Sequence, residues 1–372
     1  MRLKINVAFC SILLAAIGIV MIYSASSYAA ELRFGDAFFY VKKQIFALVA
    51  GLVLMAFGAR LNLDLLIKAR WIVYGISVAL LLILFIPGVG QTSYGATRWI
   101  NLGFMTVQSS EVAKFGLVIF LAAELDRNPP LTFGKTVLPV LAGLVVCVAI
   151  MSEPNMSVTM CVALTLVVML IVAGLPTAAV VGCGALGAAG IPALILMEPY
   201  RVKRLLAFLD PWASPKAEGY QLIQSFYALG SGGLFGVGLF ASRQKYLFLP
   251  FAESDFIFSV IGEELGLLGS IGVLGVFFVL ILSGIRIALG AKDRYRFLLA
   301  SGITALIAVQ TLVNIAVVSG SIPPTGLPLP YVSAGGSSLM IFLFASGLLI
   351  NCNRDSVQIP DVFRSTSRFR SA

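Results

Sequence analysis

A series of long apolar runs, separated by short polar stretches, is the feature that most constrains how this chain can fold. About 20 apolar residues are enough to cross the hydrocarbon core of a bilayer as a helix. The chain is 59% hydrophobic and only 12% charged, whereas soluble domains carry about 25% charged residues. We therefore predict an all-α polytopic membrane protein with ten transmembrane helices, at approximately 1–24, 43–58, 71–87, 111–124, 137–151, 157–173, 177–197, 255–283, 297–319 and 336–351.

An even number of spans places both termini on the same side of the membrane, and the basic residues indicate which side. If the termini are cytoplasmic, most Lys and Arg residues fall in cytoplasmic segments, and the short outer loops hold only Arg33, Lys42, Lys43 and Arg98. Because basic residues favour the cytoplasmic side, we predict a protein of the cytoplasmic (inner) membrane with both termini in the cytoplasm. The net charge of +9 then needs no nucleic-acid partner to explain it.

This topology divides the chain into a membrane domain, 1–352, and a basic, Ser-rich cytoplasmic tail, 353–372, which we predict to be disordered. A large extracytoplasmic loop, 198–254, connects helices 7 and 8. Two of its stretches, 201–206 and 220–229, mix polar and apolar residues at helical spacing. They predict amphipathic helices that lie on the membrane interface.

The residue types that are missing or scattered exclude several kinds of site. The chain has no histidine, which excludes imidazole metal sites and His-based triads. Its five cysteines form no CxxC pair and lie in or beside apolar runs, so we interpret them as small apolar side chains. The Gly-rich run 230–238 allows tight turns or close approach of backbone to a ligand. It is not a Walker A motif, because the chain has no GKS or GKT triplet, and an ATP-driven pump is not expected.

Four carboxylates mark the start of the eighth span: Glu253, Asp255, Glu263 and Glu264. Ionisable groups in a membrane span are costly to bury and usually functional. Asp255, at the start of the predicted helix, is either an N-cap or first-turn acid or a catalytic carboxylate, and the two roles are compatible. Glu263 and Glu264 lie about 80° and 180° further around the helix. We predict that these two support the helix or its gating rather than the reaction.

Other charged residues fall in the polar stretches of the same predicted outer face. Glu111 and Lys114 share a helix face, so they form an ion pair or Lys114 faces an anion. Arg98, beside Trp99, is either an interfacial anchor or a second cation of a phosphate site. Glu153 is an ordinary turn acid, or it completes an acidic pocket or a cation site with Glu111 or Asp255.

The last outer loop, 321–338, contains four prolines and three glycines and predicts rigid, non-helical backbone at membrane depth. Such backbone is tolerated where it is covered by protein or lines a wet cavity. We therefore predict that this loop is a cavity wall, with Ser337 in a supporting role.

These motifs resemble the SEDS proteins of bacterial cell-wall synthesis, the FtsW/RodA/SpoVE group. The resemblance runs from the first span to Asn351, and the segments 208–212, 242–245, 262–264 and 328–330 resemble the division branch. Two departures stand out. The family's His before the Asp255 helix is absent from Pro250-Phe251-Ala252-Glu253-Ser254-Asp255, and Asn155 replaces a family Asp.

The resemblance implies a peptidoglycan glycosyltransferase that polymerises lipid II at the outer membrane face during cell division. It also implies partnership with a class B penicillin-binding protein and other divisome membrane proteins, and a divalent cation, Mg²⁺ or Mn²⁺. Asp255 would be the catalytic carboxylate of the family's DFIF motif. Arg98, Lys114 and Glu111 would match polar residues of the central cavity.

We also expect Arg243 and Lys245 to help to stabilise a pyrophosphate leaving group. Two functions of other classes remain open. One is a lipid II flippase, which uses the same cavity and cations but makes no bond. The other is a division scaffold that recruits and regulates a transpeptidase.

Overall fold

Helices make up most of the structure, a computed structural model that describes residues 2–86, 90–93, 96–101, 106–130, 133–176, 178–182, 190 and 199–354. In chain order the helices of these residues are α1 (Arg2–Phe34), α2 (Phe39–Gly58), α3 (Leu63–Lys68), α4 (Arg70–Leu82), α5 (Ser109–Arg127), α6 (Phe133–Ser152), α7 (Met156–Val172), α8 (Pro199–Leu209), α9 (Tyr220–Gly232), α10 (Ile257–Leu289), α11 (Arg294–Val318) and α12 (Gly336–Cys352). Two 3₁₀ turns, Ile83–Phe85 and Pro211–Ala213, extend α4 and follow α8.

The lengths of these helices confirm the predicted polytopic membrane fold. Five described helices, α1, α2, α6, α10 and α11, are long and apolar enough to cross a membrane, and α4, α7 and α12 are shorter apolar helices. Most of the predicted seventh span, 177–197, lies outside the described residues, as do Cys183 and the tail from 355 to 372. The count of ten therefore stays a prediction.

The loop between the third and fourth spans contains a small sheet that the sequence did not predict. Its strands β1 (Gly90–Ser93), β2 (Ala96–Asn101) and β3 (Thr106–Gln108) pair antiparallel in that order. Trp99 in the central strand pairs with Gln91 on one side and Gln108 on the other. Because β3 runs directly into α5, the sheet fixes β2, which carries Arg98, at the start of that helix.

Helix α5 is the central helix of the described bundle. Its residues from Ser109 to Leu125 are buried almost without interruption, and it packs against α4, α6, α7, α11 and α12. Gly116 lets α4 approach closely, since a Cβ there would lie 1.9 Å from Ser77 Oγ. The side chains of Glu111 and Lys114 are buried because they lie on this helix.

Helix α10 is broken at Gly266, where we predicted one continuous span. Gly266 has φ 66° and ψ −165°, which interrupts the hydrogen-bond ladder and leaves backbone groups that must find other partners inside a membrane. The segment that follows α9 supplies these partners, in four hydrogen bonds: Val237 N to Glu263 O (2.9 Å), Gly238 N to Glu264 O (3.1 Å), Leu267 N to Gly233 O (2.9 Å) and Leu268 N to Leu234 O (3.2 Å).

The Gly-rich run thus approaches protein backbone rather than a ligand. A Cβ on Gly236 would lie only 2.1 Å from the carbonyl oxygen of Glu264, so the position requires glycine. The two amphipathic stretches predicted in the large loop are helices, α8 and α9. Their placement flat on the interface stays a prediction.

Candidate active site

Asp255 lies in a turn two residues before α10, and not at the helix terminus. The helix begins at Ile257, and its N-cap residue, Phe256, makes no side-chain capping hydrogen bond. The interpretation of Asp255 as an N-cap or first-turn acid is therefore wrong, since the chain enters the helix later than the apolar pattern predicted. The carboxylate instead approaches the last outer loop, where a Cβ on Gly326 (φ +78°) would lie 3.1 Å from Asp255 Oδ2.

The backbone around Asp255 is held by Asn314 of α11 and by the last outer loop. Asn314 Nδ2 donates to the carbonyl oxygen of Asp255 at 2.8 Å and to that of Leu327 at 2.7 Å. Ser333 Oγ donates to Ser254 O at 2.6 Å. The turn and the loop therefore form one hydrogen-bonded wall, and the position of Asp255 is set by its main chain.

The guanidinium groups of Arg204 in α8 and Arg98 in β2 each favour the ionised form of this carboxylate electrostatically. Arg98 Nε donates to Glu153 O at 3.1 Å and its Nη2 to Pro154 O at 2.5 Å. Arg204 Nη1 donates to Pro324 O at 3.3 Å. The loops that the topology predicted on one face do meet at one end of the bundle.

Burial raises the pKa values of two carboxyls in this region, Asp255 and Glu153, and raises that of Glu153 further. Removal of water by the surrounding protein raises the pKa of Asp255 to about 6, although Arg204 and Arg98 act in the opposite direction. Burial also raises the pKa of Glu153 to about 8, against the lowering effects of a Ser109 hydrogen bond and of Arg98. Near pH 7 Asp255 is therefore mostly ionised and Glu153 mostly protonated.

Glu153 occupies the turn between α6 and α7. Its Oε1 accepts a 3.4 Å hydrogen bond from Ser109 Oγ, and its backbone carbonyl anchors Arg98. Asn155, at the family departure, caps α7 by accepting from Val158 N at 3.4 Å. Because an Asp side chain can cap a helix in the same way, the departure preserves the local structure.

Glu111 and Lys114 form a fully buried ion pair below the Asp255 turn. Lys114 Nζ lies 2.7 Å from Glu111 Oε1 and also donates to Gln310 Oε1 at 2.6 Å. Gln310 Nε2 in turn donates to Pro328 O of the last outer loop at 2.9 Å. The geometry favours the ion-pair interpretation over a lysine that faces an open anion pocket. Ser337 accepts from Gln108 N at 3.3 Å and ties α12 to β3.

Glu263 and Glu264 form a second cluster, to which Arg243 and Lys245 belong. Glu263 accepts from Ser242 Oγ with one oxygen and from Arg243 N at 2.9 Å with the other. Glu264 Oε1 accepts from Ser24 Oγ at 2.5 Å and lies 4.0 Å from Lys245 Nζ. These contacts hold the Lys245 ammonium beside Glu264 and the backbone amide of Arg243 on Glu263. The pyrophosphate role expected of the two side chains stays a prediction.

The segments around Asp255 hold several buried polar atoms with no hydrogen-bond partner among the described residues. Buried polar groups are nearly always paired, so these atoms can accept or donate hydrogen bonds to a polar ligand or to water. The atoms are Ser110 Oγ, Glu153 Oε2, Thr311 Oγ1, Asn314 Oδ1 and Thr325 Oγ1. Sequence analysis singled out neither Asn314 nor Arg204. The only signal for Asn314 was an amide in an apolar run, four residues after Gln310.

A cation cage made by the protein alone does not fit these residues. Within the described part of the chain, no three Cys, Asp or Glu side chains come together as metal ligands would, and the sequence has no histidine. We therefore derive no chemical step through a metal.

Comparison with known proteins places this geometry in a family. The family model described as "Cell cycle protein", FtsW/RodA/SpoVE, matches residues 4–358. Stage V sporulation protein E of Bacillus subtilis (strain 168) is 42% identical over 352 residues, which cover 93% of this chain and 95% of that protein. The probable peptidoglycan glycosyltransferase FtsW of Geobacter sp. (strain M18) is 38% identical over 346 residues, 92% of this chain and 94% of the relative.

Solved structures share the whole fold. A chain of a peptidoglycan synthase complex, described as coordinating polymerization and crosslinking, matches with TM-score 0.79 and 31% identity over 95% of this chain and 98% of its own length. The Thermus thermophilus rod shape determining protein RodA matches with TM-score 0.70 and 28% identity over 95% and 97%. The chain therefore belongs to the FtsW/RodA/SpoVE family of cell cycle proteins.

Proposed function

We propose that this protein is a peptidoglycan glycosyltransferase that polymerises lipid II at the outer face of the cytoplasmic membrane during cell division. The observation that carries the proposal is the Asp255 carboxylate, whose pKa burial raises to about 6 and whose ionised form Arg204 and Arg98 favour, where four loop segments converge. Relatives named probable peptidoglycan glycosyltransferase FtsW, which align over nearly their whole length, support the same activity.

In the proposed reaction Asp255 is the general base. It takes the proton of the acceptor sugar hydroxyl as the hydroxyl oxygen bonds to the anomeric carbon of the donor. The bond from that carbon to the pyrophosphate oxygen breaks, and its electron pair leaves with the lipid-linked pyrophosphate. A base acts best when its pKa lies near the working pH and it is still ionised. A pKa of about 6 meets this condition, because most Asp255 carboxylates are ionised at pH 7.

The leaving group develops negative charge, which Arg98 and Arg204 are positioned to stabilise. Arginine suits this role because its planar guanidinium binds phosphate oxygens with two parallel hydrogen bonds. Both side chains already hold loop carbonyls with part of their donor set, which orients them. Lys114 and Glu111 contribute indirectly, since the buried pair supports the last outer loop through Gln310.

The partners and the orientation are part of the proposal. The similar chain of a peptidoglycan synthase complex that coordinates polymerization and crosslinking supports a penicillin-binding protein as partner. The distribution of Lys and Arg supports cytoplasmic termini, which would put Asp255 at the outer face.

The divalent cation is a separate part of the proposal. Mg²⁺ binds through one or two carboxylates together with substrate phosphates, so Asp255 and the pyrophosphate of the substrate would share the cation. The rate of lipid II polymerisation, measured with and without EDTA and again after addition of Mg²⁺ or Mn²⁺, tests whether the reaction needs the cation.

The test of the activity is polymerisation of purified lipid II by the reconstituted full-length protein with its transpeptidase partner. We expect glycan strands from the wild type and from Glu253→Gln, a neighbouring acid kept as control, and none from Asp255→Asn. Transbilayer movement of lipid II without glycan product would instead support a flippase. Normal growth of cells that carry only Asp255→Asn would support a scaffold.

A further inference from the structure

At the end of the bundle opposite Asp255, three basic side chains line one cavity. The cavity has a volume of about 530 Å³ and is lined by Lys4, Arg60 and Arg354 together with Ala59 and Ile350. The residues come from the first turn of α1 and from the turns that follow α2 and α12. No residue of this lining is acidic.

The packing of α1 against α12 brings two of the cations to the same depth. Ser11 Oγ and Ser346 Oγ are hydrogen-bonded at 2.9 Å between these antiparallel helices. Lys4 precedes Ser11 by seven residues, and Arg354 follows Ser346 by eight. At about 1.5 Å per helical residue, both lie roughly 10–12 Å further along the bundle axis.

The third cation is held by tight packing of α2 against α12. Asn351 Nδ2 donates to Gly58 O at 2.9 Å and to Leu61 O at 2.6 Å, which fixes the turn that carries Arg60. A Cβ on Gly347 would lie 2.2 Å from Met55 O, so the two helices are in backbone contact. The packing of α1, α2 and α12 therefore fixes the backbone positions from which the three basic side chains extend into an open cavity.

Helix dipoles account for two of the cations but not for the third. Arg60 and Arg354 follow helix C-termini, where a positive charge is favoured, whereas Lys4 lies in the first turn of α1, where it is disfavoured. Within the described part of the chain, none of the three takes part in an ion pair. Three basic side chains without an acidic neighbour in the lining give the cavity a positive potential that favours an anion with several charged or acceptor oxygens.

The surface beside the cavity is apolar. Ile5 and Phe57, next to Lys4 and near Arg60, are each 56% exposed, and Phe9, one turn along α1, is 62% exposed. In a membrane protein such side chains face acyl chains. We propose that this cavity binds the phosphodiester headgroup of an anionic phospholipid, with the acyl chains along the exposed face of α1 and α2. Basic pockets between membrane helices bind anionic headgroups in this way.

The test compares two triple variants of the full-length protein that lose the same charge at the same end of the bundle. The first is Lys4→Gln/Arg60→Gln/Arg354→Gln. The matched control is Lys68→Gln/Arg286→Gln/Lys292→Gln, whose residues are exposed and do not line the cavity. Native mass spectrometry measures the retention of phosphatidylglycerol, phosphatidylcholine and inorganic phosphate by each protein.

A basic residue near an anionic headgroup contributes roughly a fivefold gain in affinity, so the cavity variant should bind phosphatidylglycerol on the order of a hundredfold more weakly. The control should bind it like the wild type, and all three proteins should bind phosphatidylcholine equally weakly. Equal losses in both variants, or unchanged binding by the cavity variant, would overturn the proposal. Displacement of phosphatidylglycerol by inorganic phosphate at equal concentration would overturn the lipid as the ligand. If the triple variant does not fold, Arg60→Gln alone should weaken binding about fivefold.

Discussion

The turn of Asp255 and the cluster of Glu263 and Glu264 are neighbours in sequence, yet the protein holds their carboxylates in opposite ways. Both oxygens of Glu263 accept hydrogen bonds from residues 242 and 243, and Glu264 is fixed by α1 and by the same segment. Asp255 is held mainly through its backbone carbonyl, by Asn314. Its carboxylate lies beside Gly326, accepts a hydrogen bond from the Ser254 side chain and is influenced electrostatically by Arg204 and Arg98.

This difference separates a structural acid from a reactive one. A carboxylate whose oxygens already accept several protein hydrogen bonds is held in one orientation and has few acceptor positions left for a substrate. A carboxylate held by its main chain keeps a fixed position while its side chain stays available to a substrate. The following substitutions test that distinction, starting with the largest expected effect.

Asp255→Asn should reduce the polymerisation rate by about 10²–10⁴-fold, the usual contribution of a general base. The thermal midpoint should not fall, because Asn has the same shape and removes a buried charge. Initial rates with purified lipid II and a thermal unfolding curve on the same preparation measure both. A variant that retains wild-type polymerisation would show that Asp255 is not the base.

Glu263→Ala should act on stability first. It leaves the hydroxyl of Ser242 and the amide of Arg243 without their acceptor, at a cost of about 1–3 kcal/mol for the buried hydroxyl and less for the part-buried amide. We expect a lower thermal midpoint and, where the protein is still folded, a chemical step close to that of the wild type. Single-turnover kinetics below the transition separate the two effects. A large loss of the chemical rate at full stability would place Glu263 in the reaction.

The pH dependence of the polymerisation rate should follow the ionisation of the Asp255 carboxyl. The base must be ionised and its pKa is about 6, so the rate should fall as pH decreases through that value and level off above it. Arg204→Gln removes a cation that lowers the pKa of Asp255. The acid limb should therefore move to higher pH, with a roughly tenfold lower maximal rate from lost charge stabilisation. A pH–rate profile from pH 5 to 8 measures both, and an unmoved limb would contradict the coupling.

Asn314→Ala should have the smallest effect. It removes two hydrogen bonds that position the Asp255 turn and the last loop, so we expect a several-fold lower kcat, little change in KM and an unchanged acid limb. Asn314→Gln should recover only part of the loss, because the longer side chain cannot keep both distances. A rise in KM alone would indicate substrate contact instead of positioning.

The features predicted correctly from the sequence are those that follow from the bilayer itself. Apolar runs indicated the helices, and their alternation placed the loops of Arg98, Glu153 and Asp255 at one end of the bundle. Arg204 was missed because it is one of several basic residues in α8, and periodicity cannot tell which of them faces a carboxylate. The sheet of Arg98 was missed because strands of three to six residues leave no clear alternation.

The pyrophosphate roles predicted for Arg243 and Lys245 show a second limit of inference from the sequence alone. Each residue is cationic and falls in the predicted outer loop, which is the basis of the predicted phosphate contact. The Lys245 ammonium lies beside Glu264 and the backbone amide of Arg243 donates to Glu263, close to the break at Gly266 where the Gly-rich run hydrogen-bonds α10. Glycine is common in membrane helices, so the sequence alone does not distinguish a break from a continuous helix.

The break at Gly266 also changes which parts of the chain move together. It separates a short helical segment, Ile257–Leu265, which is about 13 Å long, from the longer remainder of α10. Asp255 lies just before the first residue of this segment, and Glu263 and Glu264 lie near its last residue. Those two acids accept hydrogen bonds from the backbone amide and the hydroxyl of Ser242. A displacement of the segment around Ser242 would therefore reach Asp255 through this short helical segment, because the break separates it from the rest of α10.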